Sequence, residues 1–172
     1  MSSGKFDMVA LAAEALSMAG EAGAFLVVGE EKPNVMTMGW GTAGVMWSKP
    51  VLMAPVRHSR YTHALLENND TFVVSVPAAG EMRDALRICG TRSGRDMDKV
   101  TAAGLRMGSA KEVRTPVVEG CAIHVECRVL QRSELDLTTL DGEDLARFYG
   151  NDAEGGDTHS LYFAQILACY RA

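Results

Sequence analysis

Several things are scarce in this chain of 172 residues, and each scarcity excludes something. No uninterrupted apolar run approaches membrane-spanning length, and the first residues, Met1-Ser2-Ser3-Gly4-Lys5, lack a signal-peptide pattern, so we expect a cytoplasmic protein with no membrane partner. There is no CxxC pair. Cys89, Cys121, Cys127 and Cys169 are scattered, which reads as reduced, buried thiols and not as a disulfide framework. With 17 Lys and Arg against 22 Asp and Glu, no basic excess exists to attract nucleic acid. No Gly-Lys-Ser/Thr closes a glycine loop, which removes a P-loop. Internal repeats and low-complexity linkers are also missing, so residues 1–172 are expected to form one domain, large enough to bury a core without staples.

One scarcity is local. Between residues 32 and 66 there is no Asp or Glu, while Lys32, Lys49, Arg57 and Arg60 give that window +4; with −5 overall, the rest of the chain carries −9. Arg57 and Arg60 lie among the hydroxyls of Ser59 and Thr62, just after an apolar strand and near an expected helix start. Cations, hydroxyls and backbone N–H groups there favour an anion, and a phosphate-bearing ligand is the sharper reading. Solvated charges placed by chance are the plainer one.

The pattern along the chain is mostly β. Residues 8–18 place Met8, Leu11, Ala12, Ala15 and Leu16 on a helical stripe that Gly20 and Gly23 are expected to stop. Residues 24–29 read as an apolar strand and residues 35–40 as its hairpin return. Strands are also expected at 45–47 and 51–56, with Pro55 marking an edge or bulge. A helix over 60–67, capped by Ser59, leads to the β-branched strand 71–76. Helices are expected over 81–88 and 96–103, on either side of a glycine and hydroxyl loop, 89–96, suited to an anion. Residues 115–130 read as one long strand bent near Gly120. An acidic excursion, 134–157, holds a short helix over 142–148, and residues 159–168 form a last buried strand. Strands outnumber helices and do not alternate with them, which predicts a mainly β fold, an antiparallel barrel or sandwich with a few flanking helices.

Most familiar chemistry fails on context. Gly39-Trp40-Gly41-Thr42-Ala43-Gly44 spells G-x-G-x-x-G, but a proline and no helical pattern come after it, so it is no dinucleotide fingerprint. On a single strand Cys121 and Cys127 would face opposite to His124, so no metal site is expected there. No serine has an evident base, so no catalytic residue is assigned. A cofactor-type site remains. Met36, Met38 and Trp40, on alternate positions of one strand, would wall a planar ring, unless they are simply core; Arg57, Ser59, Arg60 and Thr62 would hold a phosphate, with Ser93, Gly94, Arg95 and Lys99 as a second source of contacts.

Taken in order, Asn34-Val35-Met36-Thr37-Met38-Gly39-Trp40-Gly41, Lys49-Pro50, Arg57-His58-Ser59-Arg60-Tyr61-Thr62, Phe72-Val73-Val74-Ser75-Val76-Pro77, the run from Cys89 through Ser93, Gly94 and Arg95 to Lys99, and His159-Ser160-Leu161-Tyr162-Phe163 resemble the flavin reductase family, particularly its flavoredoxin-like branch. The resemblance implies an FMN-binding split barrel, a Greek-key antiparallel barrel that forms a homodimer, with FMN as ligand and NAD(P)H as a possible reductant. It implies that Met36, Thr37 and Met38 border the flavin ring, that Arg57, Ser59, Arg60 and Thr62 serve the phosphate and ribityl chain, and that Ser93, Gly94 and Lys99 complete the site. His58 stands where a proline or small residue is expected. Three functions are compatible with these residues: an NAD(P)H-dependent oxidoreductase, an FMN electron carrier to a protein partner, and a flavin-free binding barrel.

Overall fold

A computed structural model describes residues 3–150 and 156–172, the side chains of Ser3 and Lys5 excepted. Its centre is an antiparallel sheet of seven strands in the order β2-β1-β5-β8-β9-β4-β3. These are β1 (Ala24–Val28), β2 (Asn34–Met38), β3 (Thr42–Met46), β4 (Lys49–Arg57), β5 (Thr71–Val76), β8 (Ile123–Glu134) and β9 (His159–Arg171). β6 (Met107–Gly108) and β7 (Val117–Val118) pair separately. Among the described residues, five α-helices flank them: α1 (Ser3–Ala22), α2 (Tyr61–Leu66), α3 (Arg83–Thr91), α4 (Lys99–Ala102) and α5 (Gly142–Phe148). Among the described residues, no helix is long and apolar enough to cross a membrane.

Two cores explain the composition of the strands. Leu26, Val28, Met36, Met38, Leu52, Val74, Val125, Tyr162 and Ile166 meet in the inner core. Phe25, Val27, Val35 and Val73 point the other way, against Ala85, Leu86 and Cys89 of α3 and against Val117, Val118 and Cys121. β1 is buried on both faces, so it reads as a continuous apolar run and not as an alternating one. The small residues Ala12, Ala15 and Ala19 let α1 sit close against the inner core.

Several expected boundaries move, each for a local reason. α1 runs through Gly20 to Ala22; a Cβ at Gly20 would lie 3.8 Å from the Gly39 carbonyl, and the helix gives way instead at the left-handed Gly23 (φ 95°). β2 ends at Met38, so Trp40 lies beyond it. The β3–β4 turn falls at Trp47 and Ser48, both left-handed (φ 51° and 56°), and Pro55 lies on β4 past the last β3 pair, Thr42 with Met53. The segment 115–130 is two strands: β7 turns at Gly120 (φ 83°) before β8 begins. α3 continues to Thr91, taking Cys89 and Gly90 out of the expected loop, and α4 is shorter than expected. β5 and α5 match their expected spans.

One buried charge holds the outer layer to the sheet. Glu126 on β8 has no solvent exposure. Its carboxylate accepts the backbone N–H groups of Lys111 (2.7 Å), Glu112 (2.6 Å) and Val113 (3.2 Å) and the Tyr170 hydroxyl (2.8 Å). Removing a charged acceptor from such a nest leaves buried donors without partners. Glu126→Ala is expected to cost about 3 kcal/mol of unfolding free energy and Tyr170→Phe about 1 kcal/mol, read from urea unfolding of each variant.

Candidate functional site

Two hollows meet where β2, the β4–α2 turn, α5 and the start of β9 converge. The first, of about 300 Å³, is lined by Met36, Thr37, Met38, Gly39, Trp40, Pro55, Arg57, Arg60, Arg147, Phe148 and His159. The second, of about 200 Å³, is lined by Met36, Arg57, Ser59, Arg60, Tyr61, Thr62, Arg92, Ser93, Lys99 and Asp157. They share Met36, Arg57 and Arg60, and so form one cleft with an apolar end and a polar end.

At the apolar end, Met36 and Met38 share the inner face of β2; they belong to the core and also border the cleft. Thr37 faces away, its hydroxyl donating to the Leu86 carbonyl at 2.6 Å, so what it offers the cleft is main chain. Trp40 does not share the strand face expected for it. It is 45% exposed, with its indole edge-on to Phe148 (5.0 Å between centroids, 82°) and 5.4 Å from the His159 ring. His159 Nδ1 is 2.8 Å from the Tyr149 hydroxyl. Burial, followed by the nearby Arg57 charge, pulls the pKa of His159 down to about 4, so its ring is neutral at pH 7.

At the polar end, the turn after β4 gathers donors on one carboxylate. The Ser59 N–H donates to Asp157 Oδ1 (2.8 Å) and the Ser59 hydroxyl to Oδ2 (2.5 Å), while Arg57 Nη1 lies 3.7 Å from Oδ2. Ser59 therefore does not cap α2, whose N-cap is Arg60 with no side-chain cap bond. Arg57 also donates to the carbonyls of Asp157 (2.8 Å) and Phe148 (2.7 Å), fastening α5 against the cleft. Burial raises the carboxyl pKa of Asp157, but the Ser59 bonds and Arg57 together outweigh it and hold the group below its ordinary value. Thr62 is buried and accepts from Asn34 Nδ2 (2.9 Å), tying α2 to β2.

The second loop is arranged differently from expectation. The N-terminus of α4 is filled by its own cap: Asp98 accepts from the N–H groups of Val100 and Thr101, so no anion seat opens there. Lys99, only 5% exposed, donates to the Cys89 carbonyl (3.2 Å), and Arg60 donates to the Gly90 carbonyl (2.7 Å), so two cations meet the C-terminal end of α3. Ser93 Oγ accepts the Arg95 N–H, and Arg95 in turn donates to the Ser59 carbonyl (3.0 Å). Gly94 lines neither hollow; it borders a separate groove of about 860 Å³. A Cβ there would come within 2.0 Å of Asn34 Oδ1 and 2.8 Å of Tyr61, so its lack of a side chain lets the loop close on β2 and α2.

The sequence reading missed Arg92, Arg147, Phe148, His159 and Asp157 as lining residues. Among the lining side chains there are five cations, Arg57, Arg60, Arg92, Lys99 and Arg147, and one carboxylate, Asp157. An acidic protein has thus gathered cations around one cleft, and part of them comes from the acidic excursion, where nothing local advertises it. His58, the outlier in the motif, points elsewhere: its Nε2 lies 2.7 Å from Glu134 Oε2 and 3.1 Å from Ser160 Oγ. Cys121 packs in the outer core and Cys127 in the inner one, and burial pushes the Cys89 thiol up to about 11 and those of Cys121 and Cys169 up to about 12, leaving them protonated at pH 7.

Residues 18–171 match the family model described as flavin reductase like domain. An uncharacterized protein of Archaeoglobus fulgidus is 36% identical over 132 residues, 76% of this chain and 73% of that one. Among solved structures, flavoredoxin from Methanosarcina acetivorans superposes with a TM-score of 0.66 at 25% identity, covering 88% of this chain and 68% of that one. An NADH:FAD oxidoreductase from Streptomyces globisporus also gives 0.66, at 20% identity, over 88% of this chain and 75% of that one. The mostly antiparallel sheet with flanking helices is thus that of the flavin reductase-like split barrels.

The neutral His159 yields a prediction with a defined sign. Its pKa falls from 6.5 to about 4 on folding, so its contribution is present in full above pH 6.5 and is lost as pH drops towards 4, because the unfolded chain takes up the proton first. The loss amounts to at most about 3 kcal/mol. Arg57, Arg60, Asp157, His58 and Tyr149 surround the ring. Urea unfolding across that range is expected to show a shallower acid limb for His159→Gln than for the unaltered protein.

Proposed function

The chain belongs to the flavin reductase-like family, and on that premise we propose that its cleft binds FMN and that the protein is an oxidoreductase passing hydride from NAD(P)H to that flavin. The observation that carries this reading is the pairing within one cleft of an apolar wall with a seat already gripping an anion: Ser59 and Arg57 hold the Asp157 carboxylate a short way from Met36, Met38, Trp40 and Phe148. When bound, FMN supplies the redox chemistry by accepting hydride on its ring. The chain's own residues do the rest. Met36, Met38, Trp40 and Phe148 exclude water from one end; Arg57, Ser59 and Arg60 hold the phosphate, with Arg92 adding positive charge. Thr62 and Gly94 act by positioning, through Asn34 and Tyr61, and Lys99 and Ser93 close the polar end.

An electron-carrier role, with a redox protein as partner, is the second reading, and the likeness to a flavoredoxin favours it. The two differ in what reduces the flavin. A homodimer also fits: Val45, Met46 and Trp47 at the β3–β4 hairpin are 49%, 42% and 51% exposed, β3 is an edge strand, and Trp47 packs edge-on to Phe163, an apolar surface that suits a second copy.

The visible spectrum of the purified protein, before and after addition of FMN, is the first test; a colourless protein that binds no added FMN ends both flavin readings. Bleaching by NADH or NADPH in stopped flow is expected for the oxidoreductase, and reduction by neither nucleotide favours the carrier. Ser59→Ala with Arg60→Ala should weaken FMN binding by about tenfold or more while leaving riboflavin nearly unchanged, because only FMN presents a phosphate. Light scattering of Trp47→Glu should report a monomer where the unaltered protein is a dimer.

A further inference from the structure

The polar end of the cleft holds a group of the chain's own. Ser59 offers two donors, its N–H and its hydroxyl, and both end on the same carboxylate, one on each oxygen, with the Arg57 guanidinium alongside. That geometry is the one a phosphate would use: two or more oxygens of a single anion, each met by a separate donor, beside a fixed cation. Asp157 reaches this position from outside the turn, at the residue where the acidic excursion rejoins β9. Its main chain is anchored independently of its side chain, since Arg57 donates to the Asp157 carbonyl and His58 donates its N–H to the Thr158 carbonyl. The carboxylate can therefore leave the seat by side-chain rotation while the backbone stays in place.

We propose that Asp157 is an internal occupant of the anion seat, so that a flavin phosphate enters by exchange with this carboxylate, and that Asp157 thereby sets how strongly the protein prefers phosphorylated to unphosphorylated flavin. This rests on the FMN reading of the same cleft and adds to it a residue that neither the sequence motif nor the apolar wall specifies. An empty seat would leave the Ser59 N–H and hydroxyl open beside the Arg57 guanidinium, and any incoming phosphate would gain those two donors outright. With Asp157 in place, the phosphate gains those bonds only as the carboxylate gives them up, and it also meets a negative charge displaced only as far as the side chain reaches. A ligand without a phosphate leaves the exchange untouched. The seat thus lowers the affinity for FMN more than that for riboflavin, and it favours a flavin that comes and goes over one held permanently.

The test compares the unaltered protein with Asp157→Asn and Asp157→Ala, each first shown to melt cooperatively. Binding of FMN and riboflavin is followed by flavin fluorescence, and binding of inorganic phosphate by the shift of the Ser59 amide resonance. Both variants are expected to bind FMN about tenfold more tightly or better, to bind riboflavin within about twofold of the unaltered protein, and to bind inorganic phosphate more tightly than it does. Unchanged or weaker FMN and phosphate binding in both variants would overturn the proposal and make Asp157 a support that organises Ser59 and Arg57. If the unaltered protein binds neither flavin, the FMN reading fails, and the phosphate titration alone decides: tighter phosphate in the variants supports an occupied anion seat, and no difference overturns it.

Discussion

The pairing of β9 with a partner on each side is the interaction on which the rest of the molecule depends. Thirteen residues long, β9 is hydrogen-bonded to β4 along one edge and to β8 along the other, which ties the two halves of the sheet together. Its alternation gives it two duties. Tyr162, Ala164 and Ile166 fill the inner core, whereas His159, opposite Arg57 at the last β4 pair, faces the cleft. A slip of one residue in that register would turn Ser160 towards the cleft and put His159 in the barrel end, where His58, His63 and Glu134 now gather around the Ser160 hydroxyl. The site is therefore placed by backbone hydrogen bonds formed far from it.

How much of this was legible in the sequence depended on whether the controlling forces were local. β5 was readable because a β-branched run carries its own signal, and α5 keeps its expected span because it starts on a local cap, Asp141. The cations and hydroxyls of the β4–α2 turn were readable because they cluster within a few residues. Of the two glycines expected to stop α1, only Gly23 does, because it takes the left-handed conformation (φ 95°) whereas Gly20 stays within the helix, and the letters alone do not tell the two apart. The bend at Gly120 was legible, but its splitting the segment into two strands was hidden by apolar residues on both sides, which serve two different cores.

The least legible part was the return of the acidic excursion. Phe148 and Asp157 are held at the cleft by bonds from Arg57 and Ser59 that span about a hundred residues of sequence, and no periodicity encodes such a closure. The same acidic excursion supplies both Phe148 of the apolar wall and the anion in the seat. Charge complementarity brings the two together: the Asp157 carboxylate of a negative segment meets Arg57 of a positive window.

The chain contains two tryptophans, and the fold has separated them by task. Trp40 stands at the cleft, in contact with Phe148, and Trp47 sits at the tip of the β3–β4 hairpin in a left-handed turn that holds it outward. Each is roughly half exposed, so each has fluorescence to lose when something covers it. With either one replaced by phenylalanine, the emission of the other becomes a private signal: Trp40 for events in the cleft, Trp47 for events at the sheet edge. The protein carries its own pair of optical reporters, placed so that filling the cleft and covering the edge can be timed separately.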